Sequence, residues 1–294
     1  MLTFEEFDFE LMRTLDERYP TVKKTRRMQY RFNETKQGVV LVCSDEIQPV
    51  IYPENLYQAY QEMEDMDVIM QIIESAIKYE KVARFREIAK DWNEARKYIH
   101  PYVVNLERNM DCIERHEYVY KQKLNLAYGV YLELPEEPSE GNAIITITKD
   151  LLKLWDVSEA EAFEVAGQNA EYSVRPMREV IKELMAGQDY EYDESEEERM
   201  YVVTNERRHR GAAGMFDMEL LARASEELDS DFYILPSSMH EVILVPESSG
   251  PSKEFLQEAV VEINHSQVND EDYLSDNIYY YDRKTRMVDI VEFD

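Results

Sequence analysis

The sequence predicts an α+β fold, with mixed and mainly antiparallel sheets against which helices pack. Three observations carry this. Short β-prone runs bounded by turn residues recur along the chain, several amphipathic stretches show helical spacing, and the two kinds do not alternate as regular βαβ units. At 294 residues with 44% hydrophobic and 32% charged side chains, the chain has material for one large core or two modest ones. Eight glycines and ten prolines exclude collagen-like architecture, and two cysteines, Cys43 and Cys112, exclude a disulfide framework or a cysteine-rich zinc motif. No apolar run approaches the roughly 20 residues that span a bilayer.

Thr3-Phe-Glu-Glu6 has the form of a capping box, and Phe4, Phe7, Leu11 and Leu15 then share a helical face that Pro20 terminates. Val22 to Phe32 and Gly38 to Cys43 read as strands around a polar turn, Asn33 to Gln37, and Ile47 to Tyr52 as a third short strand. A helical stretch from about Glu54 to Lys97, broken near Asp65, follows. Tyr98 to Leu106 is β-prone, and Leu124 to Leu134 and Ala143 to Thr148 are expected to pair across the loop Pro135–Gly141. Ser158-Glu-Ala-Glu161 opens another helix, and Arg175-Pro176 is expected to start one with proline in its first turn. Asp189 to Arg199, with seven acidic residues, reads as a solvated loop. Beyond it come a strand at Met200–Thr204 and a helix at Asp217–Leu228. Strands at Phe232–Leu235 and Glu241–Val245 are joined through Pro236-Ser-Ser238. A helix at Ser252–Val268 is expected to bury Phe255, Leu256, Ala259, Val260 and Ile263, and a hairpin turns at Asp282–Thr285. Two regions are suggested, 1–97 and 98–294, either separate or forming one continuous unit.

The run Tyr201-Val-Val-Thr-Asn205, then Gly211-Ala-Ala213, then Tyr233-Ile-Leu-Pro-Ser-Ser-Met-His-Glu-Val-Ile243 resembles the C-terminal signature of a domain-of-unknown-function family from anaerobic gut bacteria. The likeness extends to Ile147–Leu152, Trp155, Ala166–Asn169, Pro49–Tyr52, Tyr60, Asn264 and Leu274–Asp276. It implies a single, full-length, soluble bacterial unit and leaves the function open. Thr25-Arg26-Arg27 departs from the asparagines such proteins tend to show.

Charge favours one reading of function. Residues 1–147 carry 19 basic and 27 acidic side chains and residues 148–294 carry 14 and 35, so the net −29 is concentrated in the second half. Such a field repels nucleic acid and anionic membranes and attracts basic partners. The first expectation is therefore a cytoplasmic acidic protein acting by protein–protein contact, docking on a basic partner such as a nucleic-acid-handling protein. The alternative is an enzyme or a small-anion or phosphate-binding protein using the Arg207–Gly214 loop and the Pro236–Glu241 turn. There Ser238, His240, Glu241 and His209 are the candidate catalytic groups, and Arg207, Arg208, Arg210 and Gly211 the candidate anion contacts, small residues and arginines before a helix being able to grip an anion. This alternative requires the two loops to meet in space. A Ser–His nucleophile needs a contact of about 2.6–3.2 Å, and no Gly-x-Ser-x-Gly elbow is present. The five histidines show no metal-ligand spacing, so no metal or cofactor is expected. Lys23, Lys24, Arg26, Arg27 and Arg31 form a second basic run without a nucleic-acid-binding signature beside it, and direct nucleic-acid binding is not expected.

Overall fold

The computed structural model describes residues 1–43, 48–77, 87–134, 144–185 and 199–293. The chain divides into two compact units, Met1–Glu87 and Ile88–Asp294. The acidic stretch 189–198 and the loop 135–141 lie outside the described residues.

In the first unit the capping box forms. Thr3 Oγ1 accepts the Glu6 N–H, and Glu6 Oε2 accepts the Thr3 N–H, opening the helix Phe4–Arg18. Phe7, Leu11 and Leu15 are fully buried against Val39, Leu41, Ile51, Ile69, Met70 and Ile73. Strands β1 (Lys23–Arg31) and β2 (Glu34–Val42) are antiparallel, with β3 (Val50–Ile51) on the far side of β2. The expected five-residue turn is instead two residues, Phe32-Asn33. Asn33 takes φ 63°, which asparagine tolerates, so Glu34 to Gln37 extend β2 and Arg31 faces Glu34. Helices Pro53–Met63 and Met66–Ile77 are separated at Glu64, which is left-handed at φ 50°.

Two antiparallel sheets build the second unit. In one, β6 (Leu126–Glu133) has β4 (Ile99–Asn105) on one side, with β5 (Tyr120–Lys123) and β7 (Ile144–Thr146) sharing the other. The other runs β13-β12-β10-β11-β9-β8, from β8 (Tyr172–Pro176), β9 (Tyr201–Asn205), β10 (Phe232–Pro236), β11 (Val242–Pro246), β12 (Tyr279–Asp282) and β13 (Met287–Ile290). Two elements absent from the sequence expectations appear before β6: the helix Leu106–His116, capped by Asn105, and β5. Tyr172–Pro176 is a strand, so Pro176 precedes the helix Met177–Leu184 as its cap residue rather than lying in its first turn. Val103 and Leu126 of one sheet share a core with Val203, Phe232, Ile234, Leu244, Tyr279 and Tyr281 of the other, and the 3₁₀ helix Gly211–Phe216 inserts Ala212, Ala213 and Met215 into it. That insertion positions the candidate site. No helix among the described residues is long and apolar enough to cross a membrane.

Candidate functional site

Strand β9 ends at Asn205, whose side chain closes the following loop on itself. Its Nδ2 donates to the His209 carbonyl at 2.7 Å and its Oδ1 accepts the His209 N–H at 3.2 Å. Arg208 and Arg210 both take positive φ (50° and 54°) to complete the reversal. Across from this loop the Pro236–Glu241 turn is tightened by the His240 N–H donating to Ser238 Oγ at 3.0 Å. The two segments meet. The Thr204 hydroxyl donates to the His240 carbonyl (2.9 Å), the Arg210 N–H to His240 Nδ1 (3.1 Å) and the Ala212 N–H to the Met239 carbonyl (3.4 Å). Contact is so close at Gly211 that a Cβ would stand 2.4 Å from Thr204 Oγ1 and 2.7 Å from both the Asn205 nitrogen and the His240 oxygen. A third segment joins through Asp272, whose carbonyl accepts the Met239 N–H at 2.8 Å and whose Oδ1 lies 2.9 Å from His240 Nε2.

These contacts fix the state of His240. Because Nδ1 accepts a backbone N–H, the ring proton sits on Nε2 and is donated to Asp272. Both nitrogens are engaged, so His240 ties three segments together and has no nitrogen left for proton transfer. Ser238 Oγ contacts the His240 backbone, not its ring, and forms no nucleophile pair. Glu241 offers its carbonyl to the Ser238 N–H at 3.3 Å, and its carboxylate makes no hydrogen bond or ion pair among the described residues.

Beneath the junction lies Glu133, the last residue of β6, with its side chain 1% exposed. Arg207 Nη1 stands 3.0 Å from Oε2, His209 Nδ1 3.6 Å from Oε1, and the Tyr131 hydroxyl donates to Oε2 at 3.1 Å. Burial alone would raise this carboxyl's pKa, but His209 and Arg207, set against its two oxygens, outweigh it and hold the group at about 2. The Arg210 guanidinium is buried within cation–π reach of two rings set edge to face, Tyr131 (4.8 Å) and Tyr102 (5.3 Å). His100, 5.9 Å from Tyr131 ring to ring, is pushed down to about 4 by burial and by the Arg207 charge, so it is neutral at pH 7. Beside the cluster opens a small cavity of about 120 Å³, lined by His100, Tyr131, Asn169, Tyr172, Asn205 and Arg207 among others.

The structure thus brings Arg207, His209, Arg210, Gly211, Ser238 and His240 together, and it spends the arginines on the protein itself. Arg207 pairs with Glu133, Arg208 with Glu183 beside Arg175, and Arg210 with the tyrosine rings. Gly211 serves close packing of the two loops. In the N-terminal unit, Lys24 pairs with Asp16 and Arg26 with Asp8 of the helix Phe4–Arg18. Sequence reasoning passed over Glu133, Asp272, Tyr131, Tyr102 and His100. A signal for Glu133 was present, because it is the one carboxylate in the apolar run Leu126–Leu134. Among the described residues no group of three or more His, Cys, Asp or Glu side chains is arranged to hold a metal ion.

What distinguishes the arrangement chemically is His209. Its Nδ1 faces a buried, ionised carboxylate, its ring lies 5.2 Å from that of His240, and its side chain is 27% exposed. Nε2 takes no hydrogen bond from any described residue. No curated protein and no solved structure matches the chain. A family of unknown function, DUF5688, matches over residues 4–283, and the chain belongs to that family.

Proposed function

We propose that the C-terminal unit is a general acid–base site for a small polar molecule, with His209 as the proton-transferring group. The observation that supports it is the buried Glu133 behind His209 Nδ1. A carboxylate there favours the tautomer with hydrogen on Nδ1, leaving the lone pair on Nε2, which has no hydrogen-bond partner among the described residues, and it stabilises the imidazolium formed when Nε2 takes a proton. The 3.6 Å approach is longer than a formed hydrogen bond, as is common for such pairs before substrate closes the site. Arg207 holds the other carboxylate oxygen and so fixes Glu133 in place. The adjoining cavity, about four water volumes at roughly 30 Å³ each, is lined by Arg207, which holds Glu133, and by Asn205, which closes the His209 loop, and not by His209 itself. Diethyl pyrocarbonate, which attacks an accessible unprotonated imidazole nitrogen, tests the geometry, and p-nitrophenyl acetate tests the chemistry. His209 should be carbethoxylated well ahead of His100 and His240, and His209→Gln should remove the ester turnover that His265→Gln leaves intact. A protected His209, or equal turnover by all three proteins, would end this reading.

A second reading is docking on a basic partner, with a nucleic-acid-handling protein one candidate, and a specific observation favours it. The unit Ile88–Asp294 carries 21 basic and 45 acidic side chains, which is −24 of the −29 total. Several of its arginines are already paired inside the protein, as described above, so the outer field is strongly negative and steers cations.

A further inference from the structure

The helix Lys253–Ser266 buries Leu256, Val260 and Asn264 toward the β10 side of the sheet. The sequence pattern suggested that Phe255 and Ile263 belong to that inner face, but they are 61% and 49% exposed. At 100° per residue they fall with Ala259 on one outward row, and Glu254, Glu258 and Glu262 form a second row beside it. None of these three carboxylates forms an ion pair among the described residues. The nearest cation on the helix, Lys253, is committed elsewhere: its Nζ donates to the Glu292 carbonyl at 2.9 Å and sits 5.2 Å from the Phe293 ring. Glu254 serves the helix's own first turn beside the cap residue Ser252, but like charges at i, i+4 repel and exposed apolar side chains add nothing to the fold, so Glu258, Glu262, Phe255 and Ile263 are not explained by the helix's own stability.

We propose that this outward face binds a basic amphipathic helix of a partner protein, with cations meeting the Glu254–Glu258–Glu262 row and apolar side chains covering Phe255, Ala259 and Ile263. The inference rests on the docking reading above and gives it a place. Charge selects the occupant. A second copy of this chain would bring the same carboxylates and the same net −29, and an anionic membrane or a nucleic acid would meet a row of its own sign. The paired rows span ten residues, Glu254 to Ile263, about 13.5 Å along the axis, which matches some ten residues of a helical partner.

The probe is a 14-residue helix-forming peptide with leucine and lysine segregated on opposite faces, alongside a scrambled peptide of identical composition. Each is titrated with the full-length protein by fluorescence anisotropy at 20 and 300 mM NaCl. The amphipathic peptide should bind about tenfold more tightly than the scrambled one. Phe255→Ser with Ile263→Ser should remove that preference while leaving the salt response, and replacing all three glutamates with glutamine should weaken binding and flatten the salt response. Thermal melts confirm that the variants fold, the triple glutamine variant losing the Glu254 contribution at the helix's first turn. If both variants bind the amphipathic peptide as the parent does, with the salt response intact, the face proposed here is wrong and docking must use another acidic surface. If neither peptide binds in a salt-dependent way, the docking reading falls with it.

Discussion

Acid titration separates two buried groups whose folded pKa values the structure moves in the same direction. His100 is held at about 4 against an ordinary 6.5, and Glu133 at about 2 against 4.5. Both are depressed, so each contributes stability that is complete above the unfolded value and lost as pH falls toward the folded one. The windows differ: pH 6.5 to 4 for His100, where the unfolded chain takes up a proton that the buried ring refuses, and pH 4.5 to 2 for Glu133, where the paired carboxylate resists protonation. Each gap, at 1.36 kcal/mol per pKa unit, amounts to about 3 kcal/mol over its full window. By pH 5.5 the His100 part has already cost about 1.4 kcal/mol, and by pH 3 the Glu133 part adds about 2. Urea unfolding of the parent, His100→Gln and Glu133→Gln from pH 7 to 3 reads both, because differences between proteins cancel the many exposed carboxylates they share. The stability gap between parent and His100→Gln should narrow between pH 6.5 and 4.5. That between parent and Glu133→Gln should start at about 3–5 kcal/mol, the cost of stranding Arg207 and His209 beside an amide, and narrow only below pH 4.5. Gaps that stay constant with pH would refute the argument.

Gly211→Ala should destabilise by about 2–3 kcal/mol, since its Cβ overlaps the backbone of Asn205 and His240, whereas Gly167→Ala, which meets nothing within 4 Å on the helix Glu159–Asn169, should stabilise by about 0.5–1 kcal/mol; urea melts of the pair decide this. His240→Ala removes the acceptor for the Arg210 N–H and the donor to Asp272, and should cost about 2–3 kcal/mol with faster amide exchange at Arg210 and Met239, read by hydrogen exchange. With 62 carboxylates against 33 cations, the melting temperature at pH 7 should rise between 20 and 500 mM NaCl as repulsion is screened; a steady fall would show that attractive pairs dominate.

Elements with strong local signals were legible in the sequence: the capping box at Thr3, the strands β9, β10 and β11, the helix after Asp217 and the final hairpin all form where their residues suggested. The misses share a cause, which is that tertiary contact rather than local pattern decides the element. Tyr172–Pro176 is a strand only because β9 supplies its ladder, with Val174 opposite Val203. Lys121 and Gln122 are polar, yet β5 forms because β6 offers Tyr128 and Ala127 as partners. Tyr279-Tyr-Tyr281 shows the reverse situation. Strand alternation puts Tyr279 and Tyr281 on one face, both fully buried, and leaves Tyr280 on the other with its hydroxyl on Glu247 at 2.8 Å.

At the site, residue type was legible and role was not. The sequence offered His240 as a catalytic group because histidine near serine and glutamate has the right chemistry. A ring nitrogen works only if it is uncommitted, however, and commitment depends on partners 30 and 32 residues away, the Arg210 N–H and the Asp272 carboxylate. The same reasoning raises His209, whose loop closes on itself through Asn205 and so presents one nitrogen inward to Glu133, 76 residues distant, and leaves the other without a described partner. Two histidines of ordinary sequence context acquire opposite chemistry because one is bonded at both nitrogens, whereas the other faces a carboxylate at 3.6 Å with one nitrogen and has no described partner for the other. Removing Asp272 leaves Nδ1 still accepting the Arg210 N–H, so the ring proton stays on Nε2 and no lone pair is freed. Asp272→Ala ought therefore to leave His240 as unreactive toward diethyl pyrocarbonate as in the parent while His209 reacts as before. If His240 becomes reactive in that variant, the Arg210 hydrogen bond does not fix its tautomer, and the distinction drawn between the two rings loses its basis.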